Sequence, residues 1–73
     1  MENYGTIIAI QGQIIEVEFK KNFPNIHDIL VLDNDPGIRI EVLRSSSDTS
    51  FYCLNLSFTS KLSRGLRMVN TGK

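Results

Sequence analysis

Few side chains in this chain are of kinds that do chemistry, and their spacing argues against most of it. The single histidine, His27, is followed by Asp28, and sequence neighbours on a strand or turn seldom converge on one reacting atom. The single cysteine, Cys53, lies in an apolar run and reads as a small buried hydrophobe. One Cys and one His supply neither an internal disulfide nor a zinc cluster. A phosphate-binding loop follows the pattern G-x-x-x-x-G-K-[ST], so that backbone amides wrap the phosphates. The nearest approach, Gly65 to Gly72-Lys73, is spaced too widely and has no hydroxyl residue after its lysine. Asn55-Leu56-Ser57 matches the glycosylation triplet, but it falls in a predicted strand. The expectation is a domain with no catalytic residue, no metal site and no cofactor of its own.

What remains is charge. The 73 residues carry no net charge, yet its distribution is uneven. Residues 1–48 hold Lys20, Lys21, Arg39 and Arg44 with all eight acids, a balance of −4, whereas 49–73 hold Lys61, Arg64, Arg67 and Lys73 with no acid, a balance of +4. Three readings are open: ordinary solvated charge, a basic patch for nucleic acid, or two complementary flanks that meet neighbouring subunits head to tail. On the third reading the interface candidates are Arg64, Arg67 and Lys61 on one side, with Glu16 and Glu18 on the other.

The elements that must position these residues read as strands. In Gly5 to Phe19, Ile15, Val17 and Phe19 alternate with Glu16 and Glu18, a period of two that fits an extended chain with one buried face. Ile7, Ile8 and Ile10 before Gly12 are β-branched and suit a pleated surface. Gly12 and Gly65 are the structural turn positions, each expected to take a positive φ. Lys20 to Asn25 is a polar break containing Pro24. Ile29 to Leu32 is a short apolar run, and Asp33-Asn34-Asp35-Pro36-Gly37 is dense turn chemistry. Ile38 to Arg44 alternates again, Ser45 to Asp48 is a loop, and Phe51 to Leu56 is a further strand with Tyr52, Leu54 and Leu56 on one face.

The last third is more ambiguous. Leu54, Phe58, Leu62 and Leu66 recur at helical spacing, but Ser57, Thr59, Ser60, Ser63 and Gly65 disfavour a helix. A loop with one helical turn, then a strand over Arg67 to Asn70, fits better. Six strands with regular turn signals predict an all-β fold, a small closed six-stranded antiparallel β-barrel occupying residues 1–73 as one domain. Its expected core is Ile8, Ile10, Ile15, Val17, Phe19, Leu30, Ile40, Val42, Tyr52, Leu54, Leu56 and Val69. A domain this small buries only about 60% of its unfolded surface, so its stability margin is thin. No run approaches a membrane span, and Met1-Glu2-Asn3 lacks the character of a signal peptide. The expectation is a soluble protein of a reducing compartment.

The strings IAIQGQIIEVEF, FPNIHDILVL, IRIEVLRS and LSRGLRMVNTGK, in that order and spacing, closely resemble the N-terminal β-barrel domain of the beta (catalytic) subunit of rotary ATP synthases. The similarity runs from about Gly5 to Lys73. Its most specific parts are the hairpin Gly12 to Phe19, the Pro24/Ile26/Leu30 spacing, and Leu62-Ser63-Arg64-Gly65 leading to Val69-Asn70-Thr71-Gly72. The chain departs from the family at Gln13, Ser57, Lys61 and Asn70, where the family usually has Pro, an acid, Gly and Asp. Those changes point to a diverged lineage or paralogue. The resemblance implies a barrel followed, in a longer parent subunit, by a nucleotide-binding domain that holds ATP or ADP with magnesium. It also implies that six such barrels, from alternating alpha and beta subunits, form a closed ring. That ring would hold the hexamer together on the cytoplasmic or organelle-matrix side, peripheral to the membrane, while the lower domains couple ATP synthesis or hydrolysis to proton transport. The alternative is an OB-like barrel binding single-stranded nucleic acid. It wants aromatics set among cations, but Phe51 and Tyr52 are adjacent and no cation lies between Phe51 and Ser60.

Overall fold

A computed structural model describes residues 4–57 and 61–71. Six strands follow one another: β1 (Tyr4–Gln11), β2 (Ile14–Phe19), β3 (Ile29–Leu32), β4 (Asp35–Ser45), β5 (Ser50–Asn55) and β6 (Arg67–Asn70). They close into an antiparallel barrel in the order β1-β2-β5-β4-β3-β6. Closure gives each strand a partner on both sides, which limits the exposed edge that could template aggregation. The all-β closed barrel expected from the alternation is therefore the fold, and no described residue is helical.

The tight turns fall where glycine and short polar residues permit them. Gly12 (φ 62°) turns β1 into β2, and Gly65 (φ 92°) turns the chain into β6; both φ values lie in the left-handed region that side chains resist. The β3–β4 turn is tighter than the Asp33–Gly37 stretch suggested. It consists of Asp33-Asn34, and Leu32 already pairs with Asp35, so Pro36 and Gly37 belong to the start of β4. Pro is tolerated there because the first residues of a strand need not donate to the ladder.

The interior is built in cross-strand rows. Val17 of β2 faces Ile7 of β1 and Phe51 of β5, while Ile15 faces Cys53, which in turn faces Val42 of β4. All of these are buried, with Leu30, Leu32, Ile38, Ile40, Leu62 and Met68 completing the core. Phe19 and Phe51 meet edge to face at 6.0 Å, 81°, an arrangement that adds to the burial of the two rings. Gly5 faces both Phe19 and Met68 across its two neighbours. A side chain there would start 2.6 Å from Val17 Cγ1, 2.8 Å from the Glu18 carbonyl and 2.8 Å from Phe19 Cε1. Val17 and Phe19 fold over Gly5 and fill the space that its missing Cβ leaves.

The expected core needs correction at six positions. Ile8, Ile10 and Leu56 are exposed, and Tyr52, Leu54 and Val69 are half-buried. In β1 the register slips between Ile7 and Ala9. This bulge inserts one residue and transfers the inward position to Ile7. Ile10 regains the phase of buried Ile15 but lies close to the Gly12 turn. In β5 the core face carries Phe51, Cys53 and Asn55, because pairing with Val17 and Ile15 turns those residues inward. In β6 the inward residue is Met68. Of the helical stripe, Phe58 lies outside the described residues. Leu62 is buried, and Leu66 N–H donates to the Ser63 carbonyl at 3.4 Å in a turn rather than a helix.

Candidate assembly surface

Two of the five charged residues singled out from the sequence, Glu18 and Arg67, share one outer face. Thr6 of β1 pairs with Glu18 on one side and with Arg67 on the other. The two side chains therefore stand on one outer face, two strand spacings (about 9–10 Å) apart. Acids from the first half of the chain and cations from the second share the β2–β1–β6 wall, because β6 closes the barrel against β1.

Each charged group has a distinct setting. Glu16 is half-buried, and its Oε2 accepts from Ser46 Oγ at 2.6 Å and from Ser50 Oγ at 3.1 Å. Ser50 is itself buried and lies 2.7 Å, hydroxyl to hydroxyl, from Ser47. Glu16 thus pins the β4–β5 loop, a local structural duty. Glu18 is exposed and its Oε2 accepts from Thr49 Oγ1 at 3.3 Å. Arg67 lies over the Tyr4 ring, guanidinium carbon to centroid 4.2 Å, with Nη1 3.9 Å from Asp33 Oδ2. Stacking and ion pair together orient an exposed cation. Arg64 and Lys61 are exposed in the segment before β6.

A groove of about 450 Å³ runs along this wall. Thr6 floors it, Glu18, Lys20 and Lys21 stand on the β2 side, and Tyr4 and Arg67 stand on the β6 side. Of its charged residues, Glu18 and Arg67 were singled out from the sequence as interface candidates, and Gly65, which also lines it, as a turn. Lys20 and Lys21 read there as part of a polar break, and nothing local relates them to Arg67.

The groups of kinds that do chemistry are engaged elsewhere. His27 Nδ1 lies 2.9 Å from Glu41 Oε2, whereas Asp28 Oδ2 accepts from Asn25 N–H at 2.8 Å and Asn70 Nδ2 at 3.2 Å. The two neighbours thus serve different partners and share no reacting position. Cys53 is fully buried, and burial pushes its thiol pKa up to about 12, so it is neutral and a poor nucleophile. Asn55 is buried too, its Oδ1 accepting from Ser57 N–H at 3.0 Å. Among the described residues no three His, Cys, Asp or Glu side chains gather as metal ligands. No helix among them is long and apolar enough to cross a membrane.

Fold and surface together define a small closed β-barrel with a charged outer wall. No family model matches the chain. Three curated proteins, each named ATP synthase subunit beta 2, are similar to it over nearly its whole length. The protein from Chlorobium luteolum is 32% identical over 71 residues, 97% of this chain. Those from Shewanella frigidimarina and Albidiferax ferrireducens are each 31% identical over 70 residues, 96% of this chain. The chain spans 13–15% of the length of these relatives. The likeness to ATP synthase beta subunits read from Gly5 to Lys73 is matched by these relatives, and the barrel it implied is the barrel observed.

Proposed function

We propose that this barrel is the N-terminal assembly domain of an ATP synthase beta-type subunit, one of six barrels that close a ring with neighbouring alpha-type subunits. The observation that carries this reading is similarity along 96–97% of the chain to proteins named ATP synthase subunit beta 2. The closed barrel supports it physically. A machine whose lower parts open and close needs a rim with few soft degrees of freedom, and a sheet without edges supplies one. Nucleotide, magnesium and coupling to proton transport belong, on this reading, to the rest of the parent subunit.

Ring contacts are heterologous, so each barrel presents two different surfaces to its two neighbours. Arg64, Lys61 and Arg67 with Glu18 remain the candidate contacts. Glu16 is the weakest of the set, since its carboxylate is already engaged by Ser46 and Ser50. The test is co-expression of the parent beta-type and alpha-type subunits, with native mass as the readout. Charge reversal at Arg64 and Arg67 is expected to reduce the hexamer fraction while the isolated barrel stays folded by circular dichroism. Unchanged assembly would remove these residues from the interface, and no association with any alpha-type subunit would overturn the reading.

A further inference from the structure

The groove over Thr6 joins two ring-contact candidates, Glu18 and Arg67, to two lysines that the ring reading does not use. Its cations are distributed along both walls: Lys20 and Lys21 just past the end of β2, and Arg67 on β6. Neither lysine is ion-paired with a described acid. Arg67 is held in a fixed orientation by the Tyr4 ring and Asp33. Among the described residues Glu18 is the one acid lining the groove, its carboxylate accepting from Thr49, while Asp33 offsets part of the Arg67 charge from outside it. Lys20 and Lys21 leave the described lining with a positive balance, which suits a negatively charged occupant.

The spread of the charges selects its shape. Cations on opposite sides of the Thr6 row suit several negative charges along a chain better than a single oxyanion. An extended peptide rises about 3.3 Å per residue and turns every second side chain to the same face, so acids two residues apart present their charges to the groove about 6–7 Å apart. Single-stranded nucleic acid fits less well. Binding it requires a free aromatic face for base stacking, and in this groove one face of the Tyr4 ring is covered by the Arg67 guanidinium.

We propose that the groove between β2 and β6, floored by Thr6 and flanked by Lys20, Lys21 and Arg67, binds an extended acidic peptide segment of a partner protein. The inference shares Glu18 and Arg67 with the proposed ring contacts, so Lys20 and Lys21, which that reading leaves out, are the residues that tell the two apart. Its test is a two-dimensional ¹⁵N–¹H titration of the 73-residue chain with a peptide of alternating Glu and Ser. The same peptide with Gln for Glu is the control, and a dT oligonucleotide is run in parallel. The acidic peptide is expected to shift the amides of Tyr4 to Thr6, Glu18 to Lys21 and Gly65 to Arg67, and the Gln peptide to leave them in place. Lys20→Gln with Lys21→Gln, on an exposed bend, should weaken binding about three- to tenfold, and Glu18→Gln should strengthen it a few-fold. Shifts that are absent, equal with the Gln peptide, or unaffected by these variants would overturn the proposal. Tighter binding of the oligonucleotide at the same amides and salt would overturn it in favour of nucleic acid.

Discussion

The barrel wall has two unlike sides. On one, β1, β2, β5 and β4 are strands of six to eleven residues that pair over five or six positions. On the other, β3 and β6 are four residues each and meet over three pairs. The long side is held by ladders and by buried side chains from Ile7 to Cys53. The short side relies on additional ties: Asp33 N–H to the Arg67 carbonyl at 3.0 Å, Thr71 Oγ1 to the Ile29 carbonyl at 2.9 Å, and Asn70 Nδ2 to Asp28 Oδ2 at 3.2 Å. A closed sheet is therefore not equally firm all round. The groove that gathers Lys20, Lys21 and Arg67 spans the seam where the long side meets the short one.

The largest expected effect comes from the long side. Phe19→Ala removes a fully buried ring that packs on Phe51 and over Gly5; a loss of about 3–5 kcal/mol is expected in urea unfolding, a large part of a small domain's margin. Met68→Ala tests the short side. It should cost about 2–5 kcal/mol, and hydrogen exchange should show β3 and β6 losing protection before β2 and β5. Simultaneous loss on all strands would mean the barrel opens as one unit and the two sides do not differ in stability.

Gly5→Ala probes the seam itself. The added methyl has no room against Val17, Phe19 and the Glu18 carbonyl, so a cost of about 1–3 kcal/mol is expected from overpacking, read as a lowered urea midpoint. Cys53 gives a pH-dependent test within the long side. Its thiol keeps its proton in the folded state up to about pH 12, whereas an unfolded thiol loses it near pH 8.5. The unfolded chain therefore binds fewer protons in that window, and stability falls as pH rises through it, at up to about 1.4 kcal/mol per pH unit. Cys53→Val should flatten that slope. Smallest is Glu16→Gln, which weakens the charge-assisted bonds to Ser46 and Ser50 and should cost about 1 kcal/mol, with faster exchange confined to the β4–β5 loop.

How much of this could be read from the residues depends on whether polarity marks the faces. In β2 the acids at 16 and 18 mark the outer face, so Ile15, Val17 and Phe19 point inward as the alternation requires. In β5 both faces are apolar, and only pairing with β2 decides that Phe51 and Cys53 go inside and Tyr52 and Leu54 outside. Tyr52 takes the outer position, where Arg44 lies 5.0 Å from its ring. The turn glycines at 12 and 65 were legible because tight reversals favour glycine. Gly5 was not, since its need arises from a ring contributed by Phe19 across the ladder. Nor was the proximity of Glu18 to Arg67, which exists only because the first strand pairs with the sixth.

That last pairing also shapes how the molecule is made. Tyr4 meets Val69 and Thr6 meets Arg67, so β1 waits for β6, synthesised five strands later, before its outer edge is covered. Until then β1 has a partner on one side only and can recruit a strand from another nascent chain. Contacts so distant in sequence also slow closure. Synthesis beside a crowded polysome is thus the stage at which this domain is most exposed to misassembly, and the short sixth strand is the latch that ends it.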